Sequence, residues 1–254
     1  MDLICEERLS DAPLVERVWH SQGERAGPFI SMAEIEWALV VTKYRGKTTI
    51  TLRGPASAAT PAFCPEDAEF FGIQFKPGAF MPNLPAKLVR DRNDLNLPDA
   101  TNKSFWLNGL VWQYPDYENA DAFVNRLVRN GLLLFDPIVG AVLQAQPVDM
   151  SLRTVQRRFL KATGLTHNTI YQISRAQYAT TLLKRGVSIL ETIDQAGYFD
   201  QPHLTRSLKQ FIGLTPAQII DQSRPERLSF LYKKNPPWLH YNTNVLKTAA
   251  LGNR

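Results

Sequence analysis

Apolar and polar positions follow two different periods along the chain. In the first hundred residues they fall into short runs rich in β-branched and aromatic side chains, separated by Pro and Gly, which is the pattern of strands. Glu36–Tyr44 (EWALVVTKY) and Thr48–Arg53 (TTITLR) flank Arg45-Gly46-Lys47, and two such runs around a three-residue loop with a central Gly predict a hairpin. Residues 54–65 (GPASAATPAFCP) hold three prolines and show no period, so they read as a loop. Glu69–Lys76 (EFFGIQFK) is a further strand, closed by Pro77-Gly78. Short strands with this punctuation suggest a small barrel or sandwich. Residues 119–129 (NADAFVNRLVR) switch to a helical period with Phe123, Leu127 and Val128 on one face, and the β-rich part is expected to end near Gly131.

From there the period stays near 3.6, and helix boundaries are marked by local chemistry. Asp136-Pro137 is an N-cap followed by Pro at the first helical position. Ser151 caps LRTVQRRFLKAT, which Gly164 ends; Thr166 caps a long helix that stops before Gly186; Ser188 caps ILETIDQA before Gly197. Asp200 or Gln201 caps a helix running to Gly213, and Thr215-Pro216 opens one more. Six helices are therefore expected over 136–222. The predicted fold is α+β with two domains: a β-rich, barrel-like (cupin-like) domain over 1–130, and an all-α domain over 131–222 in which two helix-turn-helix units are joined by a long helix. Residues 223–254 form a tail that reads as extended chain lying on a surface.

Composition rules out several classes. With 44% apolar and 21% charged residues the chain is typical of globular proteins, and no run of about 18 apolar residues suggests a membrane span. No secretory signal is recognisable at the N-terminus, so a cytoplasmic protein is expected. Cys5 and Cys64 stand far apart with no CxxC pair, and read as reduced thiols. The four histidines, 20, 167, 203 and 240, have no evident partners, and no Gly-rich phosphate loop, GxSxG or HExxH is present. An enzyme, a bound cofactor and a metal site are accordingly not expected. The aromatic set Trp19, Trp37, Phe70, Phe71, Phe75, Trp106 and Trp112 could line a pocket or simply fill the β core.

Charge changes the picture once it is divided. Residues 1–130 carry 14 basic against 17 acidic side chains, and residues 131–254 carry 15 against 7. A basic half points to a polyanionic partner: nucleic acid, an anionic membrane or an acidic protein. The arrangement of the charge favours duplex DNA. A helix-turn-helix needs a second helix with one apolar face for packing and one face of donors for the major groove. Within 188–213, Ile189, Ile193 and Ala196 supply the first helix's stripe, and Leu204, Leu208 and Phe211 that of the second. Pro202, Arg206 and Lys209 fall opposite, flanked by Gln201, His203 and Thr205. Arg206 suits a guanine edge, Gln201 an adenine edge and Lys209 a phosphate. Within 151–164, Leu152, Val155 and Phe159 form the inner stripe, Arg153 and Arg157 point away with Thr154, Gln156 and Lys161 beside them, and Arg158 lies at the boundary, suited to the DNA backbone. For either helix alone, a solvated basic face is the slightly better reading; two such helices, each with the same Gly-Leu-Thr ending (TGLT, IGLT), argue for two related units. About 19 helical residues between them span roughly 28 Å, which would place both recognition helices in adjacent major grooves.

The stretches SLRTVQRRFLKATGLT and AGYFDQPHLTRSLKQFIGLTPAQI resemble the DNA-binding domain of AraC/XylS-type regulators, over roughly 136–222. The resemblance implies base reading by Arg153, Gln156 and Arg157 in the first unit and by Gln201, Thr205 and Arg206 in the second, with His203 also near DNA. It further implies a small-molecule effector bound by the β-rich domain, a homodimer, RNA polymerase as a partner, and a nucleoid-associated location in the cytoplasm. A DNA-binding adaptor whose β domain serves only assembly is the alternative. One departure stands out. Family members have a distinct helix just before the first recognition helix, whereas here AQPVDM, with Pro147, occupies that place. Either the helix at 137–145 takes over that role through a longer turn, or the first unit is distorted.

Overall fold

The computed structural model describes residues 3–23, 26–91, 95–144, 146–221 and 227–228. The β-rich part runs β1 (Leu3–Arg8), β2 (Val15–Gly23), β3 (Gly27–Ser31), β4 (Ala38–Tyr44), β5 (Lys47–Arg53), β6 (Thr60–Cys64), β7 (Glu69–Phe75) and β8 (Ala79–Phe80). It continues through α1 (Ala86–Val89), β9 (Leu95–Asn96), β10 (Asp99–Thr101), β11 (Ser104–Leu107), β12 (Leu110–Gln113), α2 (Ala120–Arg129) and β13 (Leu134–Phe135). The main sheet has the order β1-β2-β7-β4-β5-β9; β10-β11-β12 and β13-β8 are separate, and β3 and β6 pair beside β14 (Arg227–Leu228). The architecture is thus β-rich followed by all-helical, as expected, but the described strands form four sheets, none of which closes on itself.

The β4–β5 hairpin forms at the expected place with a tighter loop than expected. Tyr44 pairs with Lys47, leaving only Arg45 and Gly46 in the turn, both with positive φ (49° and 74°). Two consecutive positive φ values match the right-handed twist of the flanking strands. Asn108-Gly109 makes the same turn between β11 and β12, where Leu107 pairs with Leu110. The expected loop at 54–65 is half strand, because β6 pairs with β3, placing Pro61 opposite Ile30. In α2 the inner face is Ala120, Phe123, Val124 and Leu127, while Val128 is exposed.

The helical part holds the six helices: α3 (Pro137–Leu143), α4 (Leu152–Thr163), α5 (His167–Lys184), α6 (Ile189–Gln195), α7 (Gln201–Phe211) and α8 (Pro216–Ile220). Each begins at a side chain that accepts from the backbone of its first turn: Asp136, Ser151, Thr166, Ser188, Asp200 and Thr215. Such caps satisfy N–H groups that have no partner within the helix. One apolar core runs through both parts, from Trp37, Leu39 and Ile73 to Phe159, Ile170, Leu204 and Ile219. No described helix is long and apolar enough to cross a membrane. Of the tail, the backbone pairing of β14 with β3 is described; the expectation of surface-lying chain otherwise falls outside the described residues.

Candidate nucleic-acid interface

The second unit is built around a short connector, residues 196–200, between α6 and α7. Gly197 takes φ +67° there, and a Cβ at that position would meet nothing, so backbone conformation, rather than a steric clash, accounts for the glycine. Thr192 and Ala196 of the first helix and Leu204, Leu208 and Phe211 of the second are buried, with Ile189 and Ile193 packed against the core. The Tyr198 hydroxyl lies 2.9 Å from Ser207 Oγ, and burial pushes its pKa above the ordinary tyrosine value. Arg175 of α5 stacks 4.1 Å from the centroid of Tyr198 and donates to Gly197 O and Gln172 Oε1. Its guanidinium also lies 3.1 Å from His203 Nε2. His203, expected near DNA, is half-buried against Tyr198 and α5, beside the exposed Gln201 and Arg206 on the same helix.

The first unit is completed by α3. Val139, Val142 and Leu143 are buried, α3 packs on α4, and the connector is the longer segment 144–151. The helix ahead of Pro147 therefore takes the role of the missing one. Val155, Phe159 and Ala162 form the inner stripe; Leu152, expected there, is exposed. Arg158, expected to meet the DNA backbone, pairs with the buried cap Asp136 at 3.0 Å while its side chain stays 37% exposed. Lys161 is exposed with its Nζ 5.4 Å from the Phe80 ring centroid, over β8. Thr154 is half-buried, its hydroxyl 3.0 Å from the Ser151 cap. His167, in the first turn of α5, is buried edge-on to Phe159 at 5.2 Å, and burial lowers its pKa to about 4.

What remains on the outside is a set of uncommitted donors. Arg153, Gln156 and Arg157 on α4, and Gln201, Arg206 and Lys209 on α7, are all exposed and have no hydrogen-bond or ion-pair partner among the described residues. Thr205 is half-buried beside Arg206. On α4 Gln156 and Arg157 lie three and four residues after Arg153, and on α7 Gln201, Thr205 and Lys209 lie four apart with Arg206 three before Lys209, so on each helix they share one face. Exposed, unpaired guanidinium and amide groups on a helix face suit phosphate and base-edge contacts at little desolvation cost beyond that of binding itself.

The C-terminal ends of α4 and α7 are tied to the β-rich part, which sequence reasoning did not foresee. Trp37 Nε1 donates to Ala162 O at 2.9 Å, and Arg90 Nη1 to Gly164 O at 2.8 Å. On α7, the Ala33 and Ala59 amides donate to Phe211 O and Gln210 O, each at 2.8 Å. Of the aromatic set, Trp19, Trp37, Phe75 and Trp112 are buried, Trp106 is exposed, and Phe70 and Phe71 line a groove of about 210 Å³. That groove lies between the main sheet and residues 115–117, with His20, Val41 and the Lys43–Glu69 pair on its wall. Among the described residues no group of three His, Cys, Asp or Glu side chains is placed to hold a metal.

A family model described as a helix-turn-helix domain matches residues 144–222. Two curated relatives, both HTH-type transcriptional regulators VirS of Mycobacterium tuberculosis (strains CDC 1551 / Oshkosh and ATCC 25618 / H37Rv), are 40% identical over 75 residues. That alignment takes in 29% of this chain and 22% of each relative, so the chain spans about a fifth of their length. No solved structure matches the chain.

Proposed function

With residues 144–222 forming a helix-turn-helix domain of the AraC/XylS type, we propose that the chain is a sequence-specific DNA-binding transcription regulator of the cytoplasm and nucleoid. The observation that carries this reading is the pair of exposed, uncommitted donor faces on α4 and α7. Arg153, Gln156 and Arg157 read bases in one major groove, and Gln201, Thr205 and Arg206 in the next. Thr154, Lys161 and Lys209 sit beside them for phosphates, and His203 supports the second turn from behind. The joining helix α5, 18 residues long, measures about 27 Å at 1.5 Å per residue. That length is of the order of the ~34 Å between successive major grooves on one face of B-DNA.

The test is selection of bound duplexes from a random-sequence pool by the full chain, followed by titration at two salt concentrations. A recurring two-part motif is expected, with affinity falling steeply as salt rises. Absence of any enriched motif together with salt-independent binding would overturn the reading.

Regulation by a small molecule through the β-rich part is supported by the groove beside His20, Phe71 and Tyr117. The adaptor alternative, in which that part serves only assembly, predicts no ligand-induced rise in melting temperature across a metabolite panel. Self-association into a homodimer and contact with RNA polymerase rest on the family resemblance, and are checked by sedimentation and by co-purification. No catalytic turnover is proposed.

A further inference from the structure

The two recognition helices end alike: Gly164 and Gly213 both have positive φ (68° and 86°), and each is followed by Leu-Thr. The carbonyl two residues before each glycine, Ala162 O and Phe211 O, accepts from the same short piece of chain. Trp37 Nε1 binds the first and the Ala33 amide the second. Ala33 O in turn accepts from Gln177 Nε2 of α5 at 3.1 Å. Residues 32–37 thus touch the first recognition helix, the joining helix and the second recognition helix.

This segment is itself fixed. Met32, Ala33, Ile35, Glu36 and Trp37 are all buried. Glu34 exchanges both backbone hydrogen bonds with Ala56, and Trp37 O accepts from the Phe75 amide of the main sheet. Both helix-end glycines press against the β-rich part, Gly164 on Ala86 and Gly213 on Ile30 and Ala59. Four residues of chain reach at most about 14 Å, so the backbones at 33 and 37 have little freedom to move apart.

We propose that the segment Met32–Trp37 is a strap that sets the separation of the two recognition helices, with Trp37 and Ala33 as positioning residues for DNA recognition. The proposal rests on the reading of α4 and α7 as the DNA-reading helices. Besides α5, Arg90 ties the end of α4 and the Ala59 amide the end of α7 to separate places on the β-rich part; among the described residues the strap alone holds equivalent carbonyls of both helices to one short, fixed piece of chain. The β-rich part then defines which spacing of half-sites the protein accepts.

The experiment uses the full chain in a background with Cys5 and Cys64 replaced by Ser, spin-labelled at Leu160→Cys on α4 and Lys209→Cys on α7. Pulsed dipolar spectroscopy reads the distance between the labels without DNA. A single narrow distribution is expected for the parent, and a distribution about twice as wide for Trp37→Phe, which keeps an aromatic ring but loses the donor, given that local contacts separate discrete arrangements. Gln177→Leu, which leaves the strap's own sequence intact, should broaden it in the same direction. Unchanged widths in both variants would overturn the strap.

The second arm compares unlabelled parent and Trp37→Phe on the selected duplex and on the same duplex with one base pair inserted between its half-sites. The insertion should cost the parent about tenfold in affinity and Trp37→Phe about threefold or less, since spacing is set by groove geometry. Equal losses would also count against the strap. Failure of the parent to select any duplex would sink the functional reading, while the distance measurement still decides the strap.

Discussion

The two helix-turn-helix units make the same object by different means. Both begin with a seven-residue helix, α3 or α6, both recognition helices start at a side-chain cap, and both end at a positive-φ glycine. The second unit has a short connector, 196–200, within which Tyr198 bridges to Ser207 of α7. The first has a longer connector, 144–151; Asp136 holds Arg158 inside the unit, and α1 and β8 pack on α4 from outside it. The family match begins at residue 144, so the first helix of the first unit lies outside the matched stretch. The ends of α4 and α7 are both tied to the β-rich part; the short connector adds a buried side-chain contact of its own to that external support.

That contrast can be broken at several points. Phe159→Ala should have the largest effect, about 3–5 kcal/mol of lost stability, because a fully buried ring at the joint of α4 and α5 leaves a cavity. Urea unfolding followed by tryptophan fluorescence measures it. A loss under about 1 kcal/mol would mean that the first unit does not depend on its packing.

Next in size is a pH effect confined to the first unit. The folded chain holds His167 neutral down to about pH 4, whereas an ordinary histidine takes up its proton near 6.5. The unfolded state therefore binds more protons in between, and stability is full above pH 6.5 and falls as pH drops toward 4, by roughly 3 kcal/mol when complete. His167→Phe should flatten that part of the stability–pH curve. An identical slope in both proteins would remove His167 as the cause.

Arg206→Ala comes third. On the second unit it should cost about 1–3 kcal/mol on the selected duplex and relax base preference at one position. Equal losses on selected and scrambled DNA would reduce it to a phosphate contact. Smallest is Lys161→Ala on the first unit, expected to weaken both DNAs equally and to flatten the salt slope by about one unit. Discrimination lost with Lys161 would reverse the roles assigned here.

How far the sequence could be read followed the range of the interactions. All six helix starts were legible because a cap is local: Ser188 and Glu191 satisfy each other across three residues. Strand pairing is not local. β6 was hidden by its prolines, yet Pro61 sits in a strand at the edge of its sheet, where a missing N–H leaves no ladder bond unmade. Asn108-Gly109 is a strong hairpin signal, but its flanking strands, β11 and β12, are only four residues each, too short to stand out as an alternating run. Trp37 could be ranked as an aromatic of the β core, but nothing near it in the chain says that its N–H meets a carbonyl at residue 162. The donor faces of α4 and α7 followed from periodicity, while the partners of Arg158 and His203 did not. Each partner is distant in sequence, Asp136 for one and Arg175 for the other.

The passage from α2 to α3 has a practical consequence. Gly131 ends α2, Leu132 and Leu133 are buried at once, β13 pairs with β8, and the Asp136 amide donates to Gly78 O. A protease needs several residues of free backbone to thread its cleft, and although Leu134 and Phe135 expose their side chains, backbone hydrogen-bonded in this way denies it that. Limited digestion of the native protein should therefore spare residues 131–136. The junction between the β-rich and helical parts would then behave as a seam, with cuts there appearing only as the whole molecule opens.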